Sequence, residues 1–222
     1  MKIKVLATGS AGNSYAIIDN EGNALVIEAW MNPHSVIANF AEEKTVNFSG
    51  WCYSHKHSDH FVANIAKQYD LYFGEEITDF SVFSFPVKHD QKHPSFECNG
   101  FVIQTVCKKT ILYVTDFYEI SESVINSLSE LNYDCIMIEV SYNNFIFKDL
   151  EQEKQAQLRN HCSDDNALKY VKMICGEKKN TQILTIHKSG RGGRAGLILS
   201  KFSAAGFNNV RVAVKGTTLN LN

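Results

Sequence analysis

The sequence predicts an α/β fold in which two mixed β-sheets pack face to face, with helices on the outside. Two patterns support this class: the first half is rich in hairpin-like pairs of apolar segments, and the second half alternates strand-like with helical segments. The 222 residues have an average globular composition, with 44% hydrophobic and 21% charged residues. We therefore expect a single domain over residues 1–222, long enough to bury a sizeable core.

The first half is predicted to form mainly strands. Residues 2–8 alternate in polarity, a small-residue turn follows, and segments 14–19 and 24–29 are joined by a hairpin-type connection. Pro33 favours the start of a helix. In order, the predicted elements are strands 2–8, 14–19 and 24–29, a helix over about 33–43, strand 50–54, a helix over 61–68, and strands 80–88, 99–106 and 110–115.

The second half is predicted to alternate helices and strands. Ser121 is a candidate N-cap, and Gly176 suits the end of a helix that opens at Ser163. In order, the predicted elements are helix 121–130, strand 134–140, helices 148–158 and 163–176, strand 182–186, helix 193–205 and a final strand over 209–214.

Composition excludes several classes of protein. A net charge of -2 argues against a protein that coats duplex nucleic acid. The six cysteines form no C-x-x-C pair and lie mostly in apolar runs, as expected for free thiols in a reducing compartment. The N-terminus lacks a signal-peptide core, and no segment approaches the ~18 apolar residues that span a membrane. We expect a soluble cytoplasmic protein.

The strongest functional signal is the segment H-x-H-x-D-H at residues 55–60, which directly follows an apolar strand. It supplies His55, His57, Asp59 and His60 within six residues. Neutral imidazoles and a carboxylate are ligands that zinc prefers. A solvated polar loop is the alternative, but such a density of ligands is rare in an average composition. The segment therefore predicts a metal site.

The same motif is the signature of the metallo-β-lactamase fold, and the chain resembles that superfamily along nearly its whole length. The small-residue turn over 8–14 and the segment 25–29 are similar to the opening strands of the family. Glu28 stands where an aspartate is usual, and Trp30 where a glycine is common. The resemblance implies a four-layer αββα sandwich of two mixed sheets.

The resemblance also implies the remaining ligands. His89, Asp116 and His187 each follow a predicted strand, as in the family, and His93 is the competing choice for His89. His55, His57 and His89 would hold one metal ion, whereas Asp59, His60 and His187 would hold the other, with Asp116 as the bridge. Two divalent ions are implied, with zinc expected and manganese as the alternative. Asp59 would also act in catalysis by orienting the attacking hydroxide.

His161, just before the predicted helix at Ser163, resembles an element of ribonuclease Z and of related small phosphodiesterases and nucleases. In those enzymes the histidine assists departure of the leaving group, which makes His161 a candidate general acid. Ser163 is kept from that element and is a candidate substrate contact, whereas Cys162 replaces the usual leucine. The alternative for His161 is a surface residue at a helix start.

Further candidates for substrate binding lie near the predicted site. The turn over 188–194 combines glycines with Arg191 and Arg194, which could bind a phosphate, although a solvated turn is an equal alternative. Glu139 ends a strand and is a candidate as a substrate contact, a ligand or a partner of His161. Tyr142 and Asn143 are weaker candidates.

The expected function is hydrolysis of phosphodiester bonds in nucleotide-type substrates by two metal ions. The length and balanced charge favour cyclic mononucleotides, as for the phage phosphodiesterases of the anti-Pycsar type, which destroy cyclic-nucleotide defence signals. A small exonuclease acting on single strands or duplex ends of DNA or RNA is the alternative. A thioester or lactone hydrolase and a non-catalytic binding module are less favoured. We expect a nucleotide or short nucleic acid as the binding partner, no membrane, and a homodimer.

Overall fold

Two mixed β-sheets lie face to face, which confirms the predicted class. The computed structural model describes residues 1–31, 36, 46–63, 76–77, 79–93, 95–176, 178, 180–190 and 193–221. The first sheet has five strands in the order β12 (Thr218–Asn220), β1 (Lys2–Ala7), β2 (Ser14–Ile18), β3 (Asn23–Ile27) and β4 (Asn47–Cys52). It is antiparallel except for the parallel pair β3 and β4.

The second sheet combines an antiparallel half with a parallel half. Its seven strands run in the order β11 (Val210–Val212), β10 (Gln182–Ile186), β9 (Cys135–Glu139), β8 (Thr110–Val114), β7 (Cys98–Thr105), β6 (Phe80–Val87) and β5 (Glu76–Ile77). Strands β8 to β11 are parallel. Every residue of β9 is buried, as expected for a central parallel strand that is covered on both faces.

The described part of the second half of the chain also forms five helices. They are α1 (Glu122–Ser129), α2 (Asn144–Phe147), α3 (Gln152–Leu158), α4 (Asp164–Cys175) and α5 (Ala195–Ala204). The hydroxyl of Ser121 accepts a hydrogen bond from the Val124 amide at the start of α1, and that of Ser163 accepts one from Asn166 at the start of α4. Both predicted helix starts are therefore confirmed, because these hydroxyls satisfy amides that the helix itself leaves unpaired.

The core has three layers of apolar side chains. Between the sheets, Ile3 and Leu25 belong to the same cluster as Ile103 and Met137 of the facing sheet. A second cluster lies between the seven-stranded sheet and α1, α4 and α5. A third covers the outer face of the first sheet, where Val26 and Trp51 pack with Met31 and Val36. Because both sheets are covered, the ends of their strands are held in fixed relation to each other.

The structure differs from the sequence prediction at three places. The helix predicted over 148–158 begins only at Gln152 as α3, since Glu151 has an extended backbone, and the short helix α2 before it was not predicted. Strand 209–214 is not the last one, because β12 follows it and pairs with β1. The short strand β5 was not predicted either. The helix predicted over 33–43 and most of that over 61–68 lie outside the described residues.

Candidate metal centre

The polar side chains of the predicted metal site converge at one end of both sheets. Because β8, β9 and β10 are parallel, the residues at their C-terminal ends meet at the same edge of the sheet. The cluster comprises His55, His57, Asp59 and His60 after β4, His89 after β6, Asp116 after β8, Glu139 at the end of β9, His161 before α4 and His187 after β10.

Three imidazoles form the first group. His57 Nδ1 lies 3.0 Å from His55 Nε2 and 3.2 Å from His89 Nε2. Nitrogens that share a tetrahedral zinc ion at Zn–N distances of 2.0–2.1 Å lie roughly 3.3 Å apart. The spacing of these nitrogens therefore fits a shared ion. The fold brings His89 into this group. His93, the competing candidate, pairs with Asp90 at the surface, and its side chain is 73% exposed.

The second group is formed by Asp59, His60 and His187. Asp59 Oδ2 lies 3.3 Å from His60 Nε2 and 3.4 Å from His187 Nε2. Asp116 connects the two groups, since its Oδ2 is 3.0 Å from His60 Nε2 and 3.2 Å from His55 Nε2. This is the position in which a carboxylate can contact two ions at once.

Glu139 joins His161 to this centre. Its Oε1 lies 2.7 Å from His161 Nδ1 and 3.1 Å from His187 Nδ1. Its Oε2 accepts hydrogen bonds from the amides of Phe117 and Cys162. Glu139 is completely buried, and its carboxylate contacts the two histidines; that it contacts substrate stays a prediction. These contacts agree with another role expected for Glu139, that of a partner of His161.

The buried donors fit divalent cations. Asp116 Oδ1 is buried and, within the described part of the chain, forms no well-aligned hydrogen bond, although His187 Nδ1 lies 2.9 Å away. Glu28, Asp116 and Glu139 are all at most 2% exposed. Burying several carboxylates together is costly unless cations compensate them. The two groups of oxygen and nitrogen donors can each hold one such ion.

Electrostatics around the site are strongly coupled. Burial would raise the pKa of Asp116, but the neighbouring histidines His187, His60 and His161 hold it well below its usual range. Burial lowers the pKa of His89 to about 4, so its imidazole is neutral at pH 7 and available as a ligand. For His161, burial acts to lower the pKa, but Glu139 and Asp116 outweigh it and raise the value to about 9.

Three residues of the site have a left-handed backbone. Asp116, His187 and Glu28 have φ angles of 46°, 52° and 67°, a region that residues other than glycine seldom adopt. Glu28 and His187 directly follow a strand, Asp116 follows one after a single residue, and each turns the chain sharply. Strained backbone of this kind is retained where the surrounding structure enforces it, commonly at functional sites.

Sequence reasoning missed the role of Glu28 and noted it only as a departure from the family pattern. Its Oε2 lies 3.2 Å from His60 Nδ1 and accepts a hydrogen bond from the Ser54 amide. Its Oε1 accepts a hydrogen bond of 2.8 Å from the Tyr113 hydroxyl. A carboxylate behind a ligand histidine fixes the ring and increases its basicity. The available signal was a charged residue at the end of an otherwise apolar strand.

Other polar groups fix the remaining ligand rings. Ser54 Oγ lies 2.8 Å from His55 Nδ1, and the carbonyl of Asn160 lies 3.2 Å from His89 Nδ1. On the opposite side, Asn13 Nδ2 is 3.1 Å from His60 Nε2. None of these three was a sequence candidate. Asn13 and Asn160 meet their histidines only through the fold, whereas Ser54 directly precedes His55 in the chain.

The structure describes four of the remaining sequence candidates. Ser163 is buried, and its hydroxyl is engaged in capping α4. The Arg194 amide donates to Asn143 Oδ1, and Asn143 Nδ2 donates to Asp164, which ties the start of α5 to that of α4. Tyr142 is mostly buried and packs against Phe147. Arg191 lies outside the described residues.

Comparison with solved structures identifies the fold. No protein-family model matches the sequence, and no curated protein matches it significantly. The structure is similar to the metallo-β-lactamase fold protein YhfI from Bacillus subtilis, with a TM-score of 0.68, 14% identity and 98% of both chains covered. It is also similar to the short form of human tRNase Z (TM-score 0.63, 11% identity, 100% of both chains). Zinc-bound PqqB from Methylobacterium extorquens gives a TM-score of 0.62 at 12% identity over 100% of both chains. The protein therefore has the metallo-β-lactamase fold.

Proposed function

We propose that the protein is a metal-dependent hydrolase of phosphodiester bonds in nucleotide-type substrates. The observation that supports this most is the position of His161 beside the two ligand groups. Its ring stacks on that of His187 at a centroid distance of 5.4 Å, and its Nδ1 is held by Glu139. An alkoxide leaves a phosphodiester poorly unless it is protonated, so a positioned acid suits this reaction. A thioester or lactone hydrolase has less need of such an acid.

The proposed metal ions are held by this chain's own residues. His55, His57 and His89 would bind one ion, Asp59, His60 and His187 the other, and Asp116 both. When bound, two divalent ions polarise the phosphoryl group and lower the pKa of water at the site. We propose zinc, because histidine nitrogens and carboxylate oxygens suit it and PqqB of the same fold binds it. Manganese is the alternative.

The roles proposed for the side chains follow from their contacts. Asp59 is 23% exposed, which leaves its carboxylate accessible to orient the attacking water. Glu139 holds His161 through Nδ1, so Nε2 remains as the nitrogen that can give a proton to the leaving oxygen. With a pKa raised to about 9 by its carboxylate neighbours, His161 carries that proton at neutral pH. Glu139 also keeps His161 and His187 in a fixed mutual orientation.

Small substrates are the first candidates. The net charge of -2 provides little attraction for a long nucleic acid. Cyclic mononucleotides therefore come first, as for phage enzymes that remove cyclic-nucleotide signals. The ends of short DNA or RNA strands are the second candidate, supported by the similarity to tRNase Z. We further propose that the protein works as a homodimer, which sedimentation analysis would test.

Hydrolysis of bis-p-nitrophenyl phosphate tests the proposed chemistry. Asp59→Ala and Asp116→Ala should each abolish turnover by the zinc-loaded protein, while circular dichroism shows an intact fold. His93→Ala is the matched control, since His93 is an exposed histidine outside the cluster. Wild-type rates in both aspartate variants, with a normal metal content, would show that the proposed centre is not catalytic.

A product screen by mass spectrometry separates the two substrate candidates. The metal-loaded protein is incubated with cyclic mononucleotides, short single strands and duplex ends. Turnover of a small nucleotide should depend little on salt, whereas that of a strand should fall steeply as salt increases. Loss of turnover of a strand at high salt, with no cleavage of cyclic nucleotides, would favour the exonuclease.

A further inference from the structure

A small cavity of about 140 Å³ lies beside His161 and His187. Most of its lining residues have polar side chains, although carbon atoms make up most of the exposed lining surface. The residues are Ser10, Ser141, Ser189, Lys154, Gln157, Leu158, His161 and His187. A cavity of this size holds several water molecules and is partly open to solvent. This is room for at least one phosphate-sized group.

One face of α3 forms a wall of this cavity. Lys154, Gln157 and Leu158 have the spacing that places side chains on the same side of a helix. Helix-like turns continue beyond α3, because the amides of Arg159 and His161 donate to carbonyls of α3. His161 follows Lys154 by seven residues and so lies on the same face. The proposed acid and a lysine therefore line one wall together.

Lys154 provides a cation that the protein itself does not neutralise. Among the described residues, no carboxylate forms an ion pair with it; its ammonium donates to Gln157 Oε1 at 3.2 Å. The amide thus holds the ammonium without cancelling its charge. By contrast, the ammonium of Lys188 at the same end of the protein donates to the Gly193 carbonyl and packs along that glycine.

The other wall presents hydroxyl groups. Ser141 follows β9, and the Ser189 amide donates to the Ser141 carbonyl at 2.9 Å, which keeps the two loops together. Ser10 belongs to the loop after β1 and is exposed. A lysine and three serines that line one phosphate-sized space are a suitable environment for an anion.

We propose that this cavity is a second anion subsite, in which Lys154 binds a phosphate next to the one that is cleaved. The inference rests on the proposed phosphodiester hydrolysis, because His161 marks the side on which the leaving group departs. A substrate with two neighbouring phosphates would place one at the metal ions and the other at Lys154. A linear strand and a cyclic dinucleotide both offer this chemistry, whereas a cyclic mononucleotide has only one phosphate. Lys154 would then determine specificity within the same active site.

Four probes of matched composition test this subsite on the zinc-loaded protein. They are an unphosphorylated thymidine dinucleotide, the same molecule with a 5′-phosphate or with a 3′-phosphate, and the cyclic dinucleotide. We expect at least one probe with a second phosphate to be preferred by about tenfold or more in kcat/KM, mainly through a lower KM. Lys154→Met should remove the preference and leave the rate on the plain dinucleotide unchanged.

Two variants make the result specific. Lys154→Arg keeps the charge and should keep most of the preference. Lys172→Met removes an exposed lysine from the last turn of α4 and should behave as wild type. Equal rates on all four probes, or an unchanged preference in Lys154→Met, would overturn the subsite while the proposed hydrolysis stands. Failure to cleave any probe or bis-p-nitrophenyl phosphate would overturn the proposed function and the subsite with it.

Discussion

Two buried glutamates show how neighbouring atoms set the role of a residue. Glu28 and Glu139 are both completely buried at the ends of strands, and each lies behind a ligand histidine. Glu28 contacts His60, whereas Glu139 contacts both His187 and His161. The first glutamate can affect only metal binding, but the second can affect metal binding and proton transfer. Substitution of Glu28 should therefore change metal binding alone, whereas substitution of Glu139 should change metal binding and proton transfer.

Glu28→Gln should weaken zinc binding by about 10–100-fold, because the amide supports the His60 ring less well than a carboxylate does. Competition with a chelator of known affinity measures the change. Glu119→Gln is the control, since Glu119 is a surface carboxylate paired with Lys88. An unchanged zinc affinity in Glu28→Gln would show that the contact with His60 has no influence on the metal.

His161 should produce an alkaline limit in the pH profile. Its pKa is raised to about 9, so the protonated form is present below that pH and is lost as the pH rises through it. Bound cations repel the imidazolium and lower this pKa, so for substrates with poor leaving groups kcat/KM should fall on the alkaline side at or below about pH 9. His161→Ala should lower the rate by roughly 10²–10⁴-fold. The same variant should affect p-nitrophenyl esters much less. Equal losses on both substrate types would exclude the role as acid.

The ligands could be predicted from the sequence, whereas their supports could not. His55, His57, Asp59 and His60 are adjacent in the chain, so a local motif reveals them. Glu28 acts on His60 only because a left-handed turn after β3 brings its carboxylate under the ring. That contact depends on the packing of two segments and leaves no pattern in either of them.

At the scale of elements, the start of α4 connects helix capping with the active centre. Ser163 caps α4, while the neighbouring Cys162 amide donates to Glu139, which holds His161. Both helix starts capped by serine were predictable from local composition. Strand β12 was not, because its three residues are too few for their alternation to stand out in the sequence. The short helix α2 was equally hidden, since its four residues are too few to show a helical period.

The two capping serines provide a matched test. Ser163→Ala and Ser121→Ala should each lower the free energy of unfolding by about 1 kcal/mol, measured by urea denaturation. Only Ser163→Ala should also reduce kcat, because its helix start lies next to His161, whereas the start of α1 has no such neighbour. Full activity in Ser163→Ala would mean that the cap and the acid are positioned independently.

At the scale of the whole molecule, the metal centre joins the two sheets. His55, His57, Asp59 and His60 follow a strand of the first sheet, whereas His89, Asp116 and His187 follow strands of the second. Each proposed ion therefore takes ligands from both sheets. Unfolding must separate these ligands, so bound metal should stabilise the entire fold and not only a loop.

Removal of metal should lower the melting temperature of the protein. Free zinc at about 1,000 times its dissociation constant adds about 4 kcal/mol, which corresponds to roughly 10 °C for a chain of this size. Thermal unfolding with EDTA and with increasing zinc measures the shift. Asp116→Asn should strongly reduce this zinc-dependent shift of the melting temperature. A melting temperature that is the same in EDTA and in zinc would show that the ions do not join the sheets.

The left-handed backbone at Asp116 and His187 also has an evolutionary consequence. Glycine adopts such a conformation without strain, so at these positions stability favours a residue that cannot bind metal. Selection for catalysis must continually oppose that preference. In a descendant that lost its activity, we expect these two ligands to drift to glycine or asparagine early, and His55 and His57 to change without such a bias. In a related chain, replacement of Asp116 or His187 while His55 and His57 remain would then indicate that the activity has been lost.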